Sequence, residues 1–279
     1  ASIYLLYTYK MKVLMIGAGN MGLTFAEGMV DSPHIKNKHL LIYDKSEDVR
    51  KQLKEDSRFC VYDDITKAVK HAHIIFLAVK PYHCEALFEE IKPLLSSQQV
   101  LVSLMAGVTL DYITSATGLQ KVVRAMPNLP AKVSKGVTAF TETPAVTKIE
   151  QIAVRNLLDS TGTSIHVENE DFINKSTGIS GSGPAYVFYF MQSMLDAALK
   201  MGFSQHDSKV LVSQTFEGAV ELFKNSDLKP EGWIEKVASK GGTTQAAIDS
   251  MEDNNVNTLI KDAAYAAFHR AIELGQENQ

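Results

Sequence analysis

From Met11 to about Val167, short apolar runs alternate with stretches of helical periodicity. The runs Val13–Ile16, His39–Tyr43, Ile74–Val79, Val100–Leu104, Lys121–Met126 and Ile165–Val167 are β-branched or leucine-rich. They are continuous rather than alternating, the pattern of strands covered on both faces. Helices are predicted between them at Met21–Val30, Ser46–Lys54, Thr66–His71, Tyr82–Leu95 and Val146–Ser160. This alternation predicts an α/β fold, a doubly wound parallel sheet with right-handed crossovers.

After Glu170 the pattern changes. No strand-length β-branched run follows, and helices are predicted at Ala185–Met201, Gln205–Asn225, Pro230–Ala238, Thr244–Asp253 and Val256–Gly275. The first of these is apolar almost all round, broken only by Gln192, Ser193 and Asp196. Those breaks set it apart from a membrane span, which needs about 20 apolar residues. A helix without a polar face must be covered on every side, and a small helical domain can rarely do that alone. Burial against a second subunit is therefore expected. The organisation that follows is a sheet domain over residues 11–168 and an all-helical dimerisation domain over 169–279. Met11-Lys12 reads as a start, so residues 1–10 are expected to be an upstream extension or expression remnant.

Composition narrows the classes of function. The 279 residues are 45% hydrophobic and 22% charged, ordinary for a globular protein and enough for two domains. A net charge of -4 with no basic block gives no case for nucleic acid or an anionic membrane surface. The two cysteines, Cys60 and Cys84, form no CxxC pair, which reads as a reducing, cytoplasmic setting. The eight histidines are scattered without ligand spacing, and no metal site is expected. No Ser–His–Asp arrangement announces itself.

Gly17-Ala-Gly-Asn-Met-Gly22 carries the strongest chemistry. It follows a predicted strand and opens a predicted helix, the context a dinucleotide fingerprint requires. Gly17 permits the tight turn, Gly19 lets backbone approach a pyrophosphate, and Gly22 allows close helix–strand packing. The helix N-terminus then offers unpaired N–H groups to the phosphates. Asp44 ends the second strand where an acid usually takes the adenine-ribose hydroxyls, which favours NAD. Lys45 and Ser46 follow directly and could hold the 2′-phosphate of NADP, so the choice stays open. Ala78-Val-Lys-Pro81 and Leu104-Met-Ala-Gly107 close two further strands, where ligands of such sheets bind.

Three more segments stand out. Arg124-Ala-Met-Pro-Asn-Leu-Pro130 reads as a rigid turn whose Asn128 satisfies local backbone groups. Ser180-Gly-Ser-Gly-Pro-Ala-Tyr186 precedes the apolar helix, with Pro184 in its first turn. Ser239-Lys-Gly-Gly-Thr-Thr244 joins two helices. Amides of Gly242, Thr243 and Thr244 beside two hydroxyls would make a carboxylate site. A simple N-cap would account for one threonine, not for both and two glycines.

Together these residues resemble the Δ1-pyrroline-5-carboxylate reductase family, from Met11 to about Leu274. GAGNMG at 17–22, AVKP at 78–81, RAMPN at 124–128, SGSGPAY at 180–186 and GGTT at 241–244 stand in order and spacing. The resemblance implies a Rossmann domain, then a helical domain that interlocks with its twin in a homodimer, often within larger rings. It implies reduction of the C=N bond of L-1-pyrroline-5-carboxylate to L-proline by hydride from NADPH or NADH. Ile16, Gly17, Ala18, Gly19, Asn20, Met21, Ala78, Val79, Lys80, Pro81, Leu104, Met105 and Ala106 would contact the cofactor, with Asp44 and Ser46 at its ribose. Ser239, Gly242, Thr243 and Thr244 would hold the substrate carboxylate where helices of two subunits meet one Rossmann domain. Thr244 matches the family position that protonates or hydrogen-bonds the ring nitrogen.

Three positions depart from the family pattern: Lys240 replaces a usual proline, Leu129 a threonine and Ile65 an asparagine. One rival reading is a β-hydroxyacid dehydrogenase, which wants a lysine four residues after the last glycine of its Ser-Gly segment; Val187 stands there. A second rival is a catalytically silent nucleotide sensor that kept the fold. The retained GGTT loop speaks against it.

Overall fold

The structure is a computed structural model that describes residues 10–277. The expected extension at residues 1–10 lies, up to residue 9, outside the described residues. The chain forms two compact units, one running through Ser182 and resuming at Ala267, the other Gly183–Ala266.

The first unit is built on an eight-stranded sheet. Its strands are β1 (Val13–Ile16), β2 (Leu40–Tyr43), β3 (Cys60–Val61), β4 (Ile74–Leu77), β5 (Val100–Ser103), β6 (Val122–Met126), β7 (Gly136–Glu142) and β8 (Gly162–His166). Their order is β3-β2-β1-β4-β5-β6-β7-β8. The chain reverses direction of growth between β1 and β4, which pair in parallel, Ile16 opposite Leu77. That is the switch point at which doubly wound sheets bind ligands.

Both faces are apolar because neighbouring residues of each strand enter different cores. Val13 and Met15 pack with Phe25, Ala26 and Met29 of α1 (Asn20–Val30) and with Val154 and Leu157 of α6 (Lys148–Leu158). Leu14 and Ile16 pack on the other side. There they meet Ala68 of α3 (Ile65–His71), Phe88 of α4 (Cys84–Ile91) and Ile113 of α5 (Leu110–Thr117). The short helix α2 (Glu47–Lys54) is capped by the Ser46 side chain, which accepts the Val49 N–H. Two Cys residues stay as free thiols, and burial pushes the Cys84 thiol above its ordinary value.

The predicted strands are present, each within a residue or two, except that the run at 165–167 belongs to the longer β8. Two strands had no apolar run to betray them. β3 is two residues long, and β7 interleaves Thr138 and Thr141 with its apolar positions. β7 also breaks the expected all-parallel order, since it pairs antiparallel with β6. Residues 127–135 between them are too few for a parallel crossover, which takes about a dozen or more. α5 and α7 (Glu170–Ser176) were likewise unmarked, being short and rich in polar residues.

Beyond α7 comes a π-helical turn at Thr177–Gly181. The second unit then contains α8 (Gly183–Lys200), α9 (Gln205–Lys224), α10 (Pro230–Val237), α11 (Thr243–Asp253) and the first half of α12 (Val256–Glu277). Val212 and Ser208 of α9 are buried, whereas no residue of α8 is. Phe190 of α8 and Phe216 of α9 meet edge to face at 5.5 Å. Among the described residues no helix is long and apolar enough to cross a membrane.

Candidate active site

The turn after β1 behaves as its three glycines require. Gly17 has φ +96°, and a Cβ there would lie 2.7 Å from the Ala78 carbonyl oxygen. At Gly22 a Cβ would fall 1.9 Å from the Gly17 carbonyl oxygen, so α1 can leave the strand only as glycine. A Cβ on Gly19 would meet nothing within 4 Å, because that position faces open space. Gly19 is the N-cap of α1, and among the described residues no side chain caps it. The first amides of α1 thus have neither intrahelical nor side-chain acceptors, and the helix dipole adds partial positive charge beside them. The cradle fits the pyrophosphate of a dinucleotide.

A cavity of about 480 Å³ opens beside this turn. Of the expected cofactor residues, Ile16, Gly17, Gly19, Asp44, Ser46, Ala78, Val79 and Lys80 line it. Ala18 and Asn20 instead border a second cavity of about 420 Å³ with Leu23, Thr24 and Lys132. Met21 is half-buried against the core, and Pro81 starts a single 3₁₀ turn ending at His83. Leu104 and Met105 point into the two cores, and only Ala106 of that trio is exposed. Any contact from Leu104 or Met105 would therefore come from their backbone. Ile65 is buried in the core around α3, where its role is packing.

The cavity also has walls that the motifs did not mark. Tyr43, Lys45, His83, Ala86, Leu87 and Glu90 line it. His83, Ala86, Leu87 and Glu90 share one face of the segment around α4, and that i, i+3, i+4, i+7 spacing was the readable signal. Burial, then Glu90, pushes the Tyr43 phenol above its ordinary value, so it stays a protonated donor. Arg50 was unmarked because two of its partners are backbone carbonyls and the third, Asp63, lies thirteen residues on. Its Nη1 donates to the carbonyls of Asp44 at 2.7 Å and Lys45 at 3.0 Å, and its Nε to Asp63 at 3.2 Å.

The RAMPN segment is structural here. Arg124, buried on β6, donates to Glu170 of α7 at 2.8 Å, and the same carboxylate oxygen accepts the Leu110 N–H at 2.8 Å. Asn128 accepts the Val137 N–H at 2.9 Å and donates to the Ser180 carbonyl at 3.0 Å. The expected local turn is thus only part of its role: it ties β7 to the π-turn more than fifty residues away.

In the helical unit, Ser239, Gly242, Thr243 and Thr244 come together at the start of α11. Gly242, not a threonine, is the N-cap, and no side chain caps the helix among the described residues. Both threonine hydroxyls therefore remain on the first turn of an uncapped helix. Gly241 has φ +73°, and a Cβ on Gly242 would lie 2.6 Å from the Ser239 hydroxyl. Only this pair of glycines lets the turn close with Ser239 against it. One expectation needs correcting. The Gly242 N–H donates to the Ser239 carbonyl at 2.9 Å, so the amides left for a ligand begin at Thr243. An uncapped helix start with adjacent hydroxyls suits a small carboxylate.

A dinucleotide cradle at a Rossmann switch point, followed by a helical unit with an uncapped glycine–threonine helix start, is the arrangement of a nicotinamide-dependent oxidoreductase. Residues 170–274 match the family model for pyrroline-5-carboxylate reductase dimerisation, and residues 12–107 that for NADP oxidoreductase, coenzyme F420-dependent. The pyrroline-5-carboxylate reductase 2 of Bacillus subtilis is 32% identical over 95% of this chain and 96% of its own. The solved pyrroline-5-carboxylate reductase of Coxiella burnetii superposes with a TM-score of 0.89 at 30% identity, covering 95% and 98%. The Plasmodium falciparum pyrroline carboxylate reductase, solved with NADP bound, gives 0.85 at 30% over the same shares. The chain belongs to the pyrroline-5-carboxylate reductase family.

Proposed function

We propose that this protein reduces L-1-pyrroline-5-carboxylate to L-proline, as a homodimer, in the cytoplasm. The observation that carries the reading is the uncapped start of α11, with Gly242 as N-cap and two threonine hydroxyls beside it. It lies in a chain whose relatives, matched over 95% of its length, are reductases of that imino acid.

The roles follow from the residues. Ser239 and the amides and hydroxyls of Thr243 and Thr244 hold the substrate carboxylate, with Gly242 kept small so that they can. A fixed carboxylate decides which face of the ring is presented for reaction. The Gly17–Gly22 turn and the strand ends at Ala78–Pro81 and Leu104–Ala106 would hold the nicotinamide cofactor, which when bound would supply the hydride. Thr244 donates a hydrogen bond to the ring nitrogen. A threonine hydroxyl is too weak an acid to protonate it alone, so the proton comes from solvent or from substrate already protonated as the iminium.

The homodimer is supported by the matched dimerisation model and by the bare apolar surface of α8, where Tyr189 is 80% exposed and Phe188 57%. Rings of such dimers are the larger assembly we add to this reading, and the free thiols support a reducing compartment. The test is loss of dihydronicotinamide absorbance when purified protein meets pyrroline-5-carboxylate with NADPH or NADH, with proline identified as product. Consumption of neither cofactor would sink the proposal.

A further inference from the structure

The adenosine end of the cofactor cavity carries a charge arrangement that bears on which dinucleotide is chosen. Asp44 sits on its wall with both carboxylate oxygens engaged by amides, Oδ2 by Ala18 N–H at 2.8 Å and Oδ1 by Ser46 N–H at 2.9 Å. Those two bonds fix the carboxylate between the glycine turn and the start of α2. Each oxygen keeps a further acceptor site. Ribose hydroxyls can donate to them, while a 2′-phosphate brings negative charge and no proton to give.

A site for that phosphate would need a cation in hand. Arg50 offers a guanidinium here, its side chain only 13% exposed, but its Nη1 donates to two carbonyls and its Nε to Asp63. Asp63 is shared with Lys54 at 2.5 Å, and Lys51 is paired with Glu47 at 2.9 Å. The first turn of α2 carries Glu47 and Asp48, which offset the positive helix end that would otherwise attract phosphate. Lys45 also lines the cavity, where it stands in sequence between Asp44 and the acidic first turn of α2.

We infer that this chain prefers NADH to NADPH, with Asp44 as the specificity-determining residue and Arg50 as the residue that positions its loop. The inference rests on the reading of this cavity as the cofactor site. Asp44 has two tasks: it braces the glycine turn through Ala18, and it reads the adenine ribose by accepting hydroxyl protons and repelling a phosphate.

The test is calorimetric binding, without substrate, of NADH, NADPH, ADP-ribose and its 2′-phosphate, on the wild-type dimer and on Asp44→Asn. The ratio within each pair isolates the 2′ position, since any damage to the glycine turn affects both ligands alike. Wild type should bind the unphosphorylated ligand at least about tenfold more tightly, the scale of one close like-charge contact. Added salt should narrow that gap, because it screens repulsion. Asp44→Asn should bring the ratio near unity or invert it. Equal or tighter binding of the phosphorylated ligand by wild type overturns the inference, as does an unchanged ratio in Asp44→Asn. Binding of neither pair would instead defeat the reading of the cavity as the cofactor site, a different failure visible in the same titrations.

Discussion

The two units of this chain bury their apolar residues in opposite ways. In the sheet unit Phe25, Phe76, Phe88 and Phe140 are fully enclosed by the chain's own strands and helices. In the helical unit α8 runs eighteen residues without one buried position, and Leu222, Phe223, Leu259 and Ile260 are also open. The first unit satisfies its hydrophobic pattern alone. The second satisfies its pattern only with help, and exposed apolar area of this extent marks an interaction surface. One region is a self-sufficient scaffold for a nucleotide, and the other is half of a core.

The sharpest way to break that contrast is to charge the bare face. Replacing Phe188 and Tyr189 with aspartate should weaken the dimer by roughly 100- to 1000-fold, because unpaired buried charges cost several kcal/mol. Sedimentation should show monomer and turnover should collapse, while calorimetry still reports dinucleotide binding. A variant that remains a fully active dimer would show that this face is not the covered one.

The converse cut is Phe76→Ala in the sheet. It should cost about 3–5 kcal/mol, read as a lower urea midpoint of the transition that releases bound dinucleotide, with no change in subunit affinity among folded molecules. A drop below 1 kcal/mol would mean the sheet core repacks around the loss, contrary to its close-packed reading.

Smaller effects sharpen the assignment of chemistry to the second unit. Thr244→Ala should lower kcat roughly 10- to 100-fold, the scale of one hydrogen bond to a charged group, and leave the NADH dissociation constant unchanged. Thr244→Ser should restore most of the loss. Wild-type kinetics in the alanine variant would remove Thr244 from the mechanism.

The smallest effect is a pH dependence confined to the sheet unit. Burial, then Lys12, holds His73 below the ordinary imidazole value of 6.5, and its Nδ1 accepts the Lys12 N–H at 3.0 Å. His39 is likewise lowered, first by burial and then by Lys38 and Lys12. A lowered histidine favours the folded state while neutral. Its contribution is full above pH 6.5 and is lost as pH falls from there through the folded-state value, where the unfolded chain takes up the proton first. Urea unfolding of His73→Gln should show a shallower loss of stability over that window than wild type; an identical slope would remove His73 as a contributor.

The residues themselves made much of this legible. Continuous apolar runs at Val13–Ile16 and Ile74–Leu77 could only be strands covered on both faces, and the spacing of Gly17, Gly19 and Gly22 could only serve a tight strand–turn–helix. Gly241-Gly242-Thr243-Thr244 announced an uncapped helix start for the same local reason, since backbone freedom and short-range hydroxyls are properties of neighbours in sequence. What depended on distant partners was hidden. β7 has no apolar run, and its antiparallel place is set by β6. Asn128 reads as a turn residue until Ser180 is beside it. Tyr43 and Glu90 line one cavity only because folding brings the end of β2 and α4 to it. The turn at Met11–Gly22 was therefore determined by sequence alone. Whether Asp44 faces a ribose or a phosphate was decided by where folding put Ala18, Ser46, Arg50 and Asp63, because charge acts through space rather than along the chain.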